Sequence, residues 1–70
     1  MSYFCTQIFL KTNGEFGRST SQFATLDAAE IAFHDAMSAI MRKEENVKAV
    51  VIVIDESGVI KFKRAWAREQ

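Results

Sequence analysis

The sequence predicts an α+β fold of order ββαββ, a four-stranded antiparallel sheet with one helix packed on one face. Three observations carry this. Apolar residues recur at helical spacing over one long central stretch. Two β-type segments precede it and two follow it. Each pair of segments is joined by a short polar turn containing glycine.

The first segment, residues 3–12, reads "YFCTQIFLKT" and ends at Asn13-Gly14. Asn-Gly suits a two-residue type I′ turn, in which both central residues take positive φ. The return strand is then expected over residues 15–23. Such a turn fixes the register, setting Lys11 opposite Phe16, Phe9 opposite Arg18, Gln7 opposite Thr20 and Phe4 opposite Phe23. One face of the hairpin, with Phe4, Ile8, Leu10 and Phe23, is expected to be core. The other, with Tyr3, Cys5, Gln7, Phe9, Lys11, Phe16, Arg18 and Thr20, is expected to be a mixed aromatic and basic surface.

Residues 27–45, "DAAEIAFHDAMSAIMRKEE", predict the helix. Asp27 with Glu30 reads as a capping box and Leu26 with Ile31 as a hydrophobic staple, with Thr25 as the alternative cap. Ala29, Ala32, Phe33, Ala36, Met37 and Ile40 form one apolar stripe, and its alanines let a helix approach a sheet closely. Arg42 and Lys43 fall near the last turn, where the helix dipole favours cations.

The second hairpin is expected over residues 47–54 and 59–66, joined by "DESG", with Asp55 and Gly58 at the first and last positions of a type I turn. In its return strand Ile60, Phe62, Arg64 and Trp66 share one face, and Val59, Lys61, Lys63 and Ala65 the other. Strand order 2-1-3-4 places the third strand, "AVVIVID", at the centre of the sheet. Both faces of that strand are apolar, and one helix covers only one face. The uncovered side, carrying Val51 and Val53 or their opposite-parity neighbours together with Tyr3 and Phe9, is larger than the apolar patches of ordinary monomers. Packing of the sheet against a second copy, in a homodimer or tetramer, is the expected cover.

Length and composition agree with this. Seventy residues make one domain, 1–70. A core of that size stabilises by roughly 3–5 kcal/mol unless disulfides, a metal or oligomerisation assist it. Cys5 is the sole cysteine and His34 the sole histidine, so an internal disulfide and a Cys/His zinc site are excluded. An unpaired cysteine suits a reducing cytoplasm. The N-terminus lacks a signal-peptide pattern, and the apolar runs are too short to span a membrane. Nine basic and nine acidic residues cancel, so no global field draws in nucleic acid or anionic lipid.

Few residues suggest chemistry. Cys5 and His34 are the only thiol-imidazole pair, but Cys5 falls in a strand beside Phe4, as structural cysteines do. His34 has Glu30 one turn away, a common surface arrangement. The pairs Glu44-Glu45 and Asp55-Glu56 sit at a helix end and in a turn, where carboxylates are solvated. Asn13-Gly14-Glu15-Phe16-Gly17 is not followed by a phosphate-loop helix. No catalytic residues, metal ligands or cofactor are assigned, and the chain reads as a non-enzyme. The stretch "KFKRAWAR", residues 61–68, interleaves cations with aromatic rings, as sites for phosphates and stacked bases do. Phe62 and Trp66 are equally consistent with core, with the lysines shielding a sheet edge. The expected ligand-binding residues are Phe16, Arg18, Lys61, Lys63, Arg64 and Trp66. Arg18 and the three basic residues would meet phosphate, and Phe16 or Trp66 a base, between subunits.

In length and pattern, "QIFLKTNGEF", "LDAAEIAFHDAMSAI" and "VVIVIDESGVIKFKRAW" resemble the small accessory proteins of about this size encoded by phages and prophages. The resemblance implies residence in the host cytoplasm and two modes of action. One is a counter-defence sponge, an oligomer that sequesters a nucleotide-derived immune signal of the cyclic-nucleotide or ADP-ribose type. The other is an inhibitor or accessory factor that binds a host protein. Weak nucleic-acid binding through the basic C-terminal strand is a third reading.

Overall fold

The structure, a computed structural model, describes residues 1–68. In chain order it contains β1 (Tyr3–Lys11), β2 (Phe16–Phe23), α1 (Leu26–Arg42), β3 (Asn46–Asp55) and β4 (Ile60–Ala67). The strands form one antiparallel sheet in the order β2-β1-β3-β4, as the sequence predicts. The helix lies against one face, and the other face carries no element of the described chain. The radius of gyration, 12.3 Å, exceeds the about 11 Å expected of a compact chain of this length. The molecule has the proportions of half a sandwich, 39 × 17 × 15 Å.

The two hairpins close with the same device. Gly14 N donates to Lys11 O and Lys11 N to Glu15 O; Gly58 N donates to Asp55 O and Asp55 N to Val59 O. Each loop is therefore three residues long, a type I turn followed by a glycine at positive φ, +88° at Gly14 and +85° at Gly58. The expected turn at Asp55–Gly58 is present. The expected two-residue turn at Asn13-Gly14 is not, because Asn13 has negative φ. Its side-chain Oδ1 accepts from Glu15 N at 2.9 Å, which holds it in the alternative conformation.

The extra loop residue corrects the register by one. Leu10 pairs with Phe16, Phe9 with Gly17, Ile8 with Arg18 and Tyr3 with Phe23. A slip of one reassigns every cross-strand neighbour. On β1 the faces are also the reverse of those expected, whereas Phe23, Phe16, Arg18 and Thr20 of β2 lie on the sides expected. Cys5 is buried against the helix side with Tyr3, Phe9 and Phe23 packed around it, whereas Phe4, Ile8 and Leu10 point to the open side. Phe9 belongs there because Gly17 opposite has no side chain, so the Phe9 ring lies over the glycine backbone. A methyl group at Gly17 would occupy the space of that ring. Gly17→Ala is accordingly expected to cost about 1–3 kcal/mol by overpacking; an unchanged thermal midpoint would show that the Phe9 ring is free to move aside.

The helix stripe is as expected. Ala29, Phe33, Met37 and Ile40 are buried, with Ala32 and Ala36 packed at their margin. They rest on Ala49, Val51 and Val53 of β3, the last two fully inaccessible. So Val51 and Val53 are core, and Val50, Ile52 and Ile54 are the uncovered set. The cap is Thr25, whose Oγ1 accepts from Ala28 N at 3.2 Å, in place of the Asp27 capping box. Ile31 is 64% exposed, so no staple forms with Leu26. The helix stops at Arg42, three residues before the expected end. There Arg68 donates to Met41 O, Lys43 O and Asn46 O, and Asn46 Nδ2 to Ile40 O, so the terminal carbonyls are satisfied from β3 and from beyond β4.

Candidate functional site

The register sorts the open face into four rows running across β2, β1, β3 and β4. The first is Phe16, Leu10, Lys48, Ala67. The second is Arg18, Ile8, Val50, Ala65. The third is Thr20, Thr6, Ile52, Lys63, in which the two threonine hydroxyls lie 3.1 Å apart. The fourth is Gln22, Phe4, Ile54, Ile60. The central strands are thus apolar over most of their length. A shallow groove of about 670 Å³ crosses the first two rows, floored by the small side chains of Ala65 and Ala67 and walled by Ile8, Leu10, Phe16 and Val50. Phe16 is 73% exposed.

The charge on this face is one-sided. Among the described residues Arg18, Lys48 and Lys63 are its only ionised ones, and its four rows hold no carboxylate. The described aspartates and glutamates lie instead on the helix, in its following loop and in the hairpin turns. None of the three cations has a carboxylate partner among the described residues.

The expected ligand residues separate onto different surfaces. Phe16 and Arg18 lie on β2 and Lys63 on β4, all facing the open side but at opposite edges, about 14 Å of sheet width apart. Arg64 and Trp66 pair with Val51 and Ala49 and so face the helix side, though Trp66 shares the lining of the groove with Phe16. Trp66 packs at the margin of the core, its ring also covered by the Arg68 guanidinium at 5.0 Å, and Phe62 lies 5.7 Å from Phe33. Lys61 occupies a bulge between Val53 and Ile54, and its Nζ is 3.7 Å from Asp55 Oδ2. The same bulge turns Ile60 to the open face, opposite Ile54, and not to the face of Phe62. Ile8, Leu10, Val50, Ala65 and Ala67 line the groove without having been expected to. The signal for them is the cross-strand row, legible once the turn length is known.

The remaining titratable groups are structural. Burial pushes the Cys5 thiol up, which keeps it protonated. Asp55 is held below the ordinary carboxylate range by the Val59 N–H, with the Ser57 N–H and Lys61 adding to the effect against an opposing desolvation. His34 lies 3.8 Å from Glu30 on the exposed helix surface, the local pairing expected of it. Among the described residues no group of three or more His, Cys, Asp or Glu side chains is placed to hold a metal ion. No described helix is long and apolar enough to cross a membrane. A second cavity, about 150 Å³, lies beside the helix C-terminus between Gln7, Lys11, Lys43 and Asn46. Comparison of the chain with protein-family models, with curated proteins and with solved structures finds no match.

Proposed function

We propose that this is a non-enzymatic homo-oligomeric binding protein, whose open sheet face is covered by a second copy and whose basic rim captures a phosphate-bearing, nucleotide-derived molecule. The observation that carries the reading is the open face itself, a largely apolar surface over two central strands with Arg18 and Lys63 at its edges and Lys48 at one end. Four strands by four rows give about 500 Å² in projection before side-chain relief is added, on the scale of the about 800 Å² per partner of a stable interface. A second copy is the occupant favoured by the size of the chain. A 70-residue domain without disulfide or metal gains most from burying such a face against itself.

Among ligands, the rim suits phosphates, and exposed Phe16 offers a ring for a base to stack on. A signal-sequestering role, of the counter-defence kind that the sequence resembles, fits a site with binding groups and no arranged nucleophile. The test is calorimetric titration with a panel of cyclic oligonucleotides and ADP-ribose derivatives. At least one is expected to bind, and Phe16→Ala to weaken it by about tenfold or more, the loss of one stacked base. Absence of binding across the panel, with one host protein recovered stoichiometrically on the purified chain, would replace this reading with inhibition of a host protein.

A further inference from the structure

The apolar centre of the open face favours self-association, but its charge pattern opposes it. Among the described residues every ionised group on the face is a cation, so the same rows of a second copy bring more cations and no carboxylate to meet them. We infer that the interface between two copies is completed by an anion at each edge, held between Arg18 of one copy and the partner's Lys63. This rests on the homo-oligomer reading and adds to it the placement of the phosphate groups.

Size complementarity selects that pairing. Phe16 is the most exposed large hydrophobic side chain of the face, and Ala65 and Ala67 are its smallest. Phe16 and Ala67 stand in the same row on opposite edges. A two-fold axis parallel to the strands lays β2 of each copy over β4 of the other, row upon row. It seats Phe16 over the partner's Ala67 and Arg18 over the partner's Ala65, and sets Ile8 against Val50. Turning the partner end over end would instead press Phe16 onto the partner's Gln22.

With sheets about 10 Å apart, Arg18 and the partner's Lys63 are one row apart and their Cα atoms about 12 Å apart. Two long side chains reach across that gap and bring like charges together unless an anion stands between their heads. A phosphate accepts from both, and Thr20, beside Arg18 on β2, supplies a hydroxyl at the same edge. The two-fold axis generates the site twice. Each cation taken from water without an anion would raise the cost of association.

Sedimentation of the intact chain in sodium pyrophosphate, against sodium chloride at matched ionic strength, reads the linkage. Pyrophosphate is expected to tighten the dimer on the order of tenfold, from two sites each favouring the assembled state about threefold. Arg18→Glu places a carboxylate beside the partner's Lys63, so this variant is expected to dimerise in chloride at least as tightly as the wild type in pyrophosphate. It should also lose its response to pyrophosphate. The reciprocal Lys63→Glu is expected to behave alike. A wild-type dimer indifferent to pyrophosphate overturns the anion site. So does an Arg18→Glu dimer no tighter than wild type in chloride, the result expected where residue 18 faces its own copy and not the partner's Lys63, as in the end-over-end arrangement. A chain that stays monomeric in both salts, with both variants monomeric too, refutes the homo-oligomer reading and this inference with it.

Discussion

Ile52→Lys is expected to turn the assembly into a folded monomer. Ile52 sits in the third row of the open face, on a central strand, between Thr6 and Lys63 and pointing away from the helix. In a single copy a lysine there projects into water and its stem covers neighbouring apolar surface, so the fold is retained. In the assembly its ammonium is desolvated without a carboxylate partner. That costs several kcal/mol and weakens association by about a hundredfold or more. Size-exclusion chromatography with light scattering reads the loss, and far-ultraviolet circular dichroism reads the retained fold. A variant that remains oligomeric would show that some other surface holds the copies together.

Phe33→Ala is expected to unfold the chain. Phe33 is 6% exposed at the centre of the helix stripe, in edge contact with His34 and 5.7 Å from the Phe62 ring. It is the largest side chain among the buried residues, and the alanines around it are too small to refill the space. Truncation of a buried phenylalanine costs about 3–5 kcal/mol, as much as a core of this size supplies by itself. A thermal melt should therefore lack a cooperative transition at low protein concentration. Partial recovery at high concentration is expected, since association of the open face favours the folded state by mass action. A midpoint within a few degrees of wild type at every concentration would place the main stability elsewhere than under this helix.

The contrast between these two substitutions follows from the one question that the sequence leaves open. Strand order, element order, the helical stripe and the Asp55–Gly58 turn are legible in spacing and turn chemistry. The side of the sheet to which each residue points is not. β3 is apolar on both parities, so its own pattern cannot say whether Val51 or Ile52 is core. The remaining signal of parity lay in the first hairpin, and its register depends on the backbone of Asn13. Asparagine accepts both positive and negative φ, and an Asx contact to Glu15 N settles it. The helix cap shows the same ambiguity: Thr25 and Asp27 are both good caps, and Thr25 makes the bond.

The candidate ligand residues were less legible for a related reason. "KFKRAWAR" is continuous in sequence, yet alternation on a strand sends Lys63 to one face and Arg64 and Trp66 to the other, and a bulge sets Lys61 aside with Asp55. Proximity along the chain did not mean proximity on the surface. The small residues Ala65 and Ala67 pass in the sequence as spacers between cations and aromatics. In the sheet they form the floor of the groove.

The proposed assembly buries the open face against another copy of the same chain. Native mass spectrometry of protein purified gently from cells tests it most directly. The expected mass is that of two chains of 7.9 kDa each, or a multiple of that pair, with a few hundred daltons retained per ligand site. A bare single chain at every concentration would contradict it.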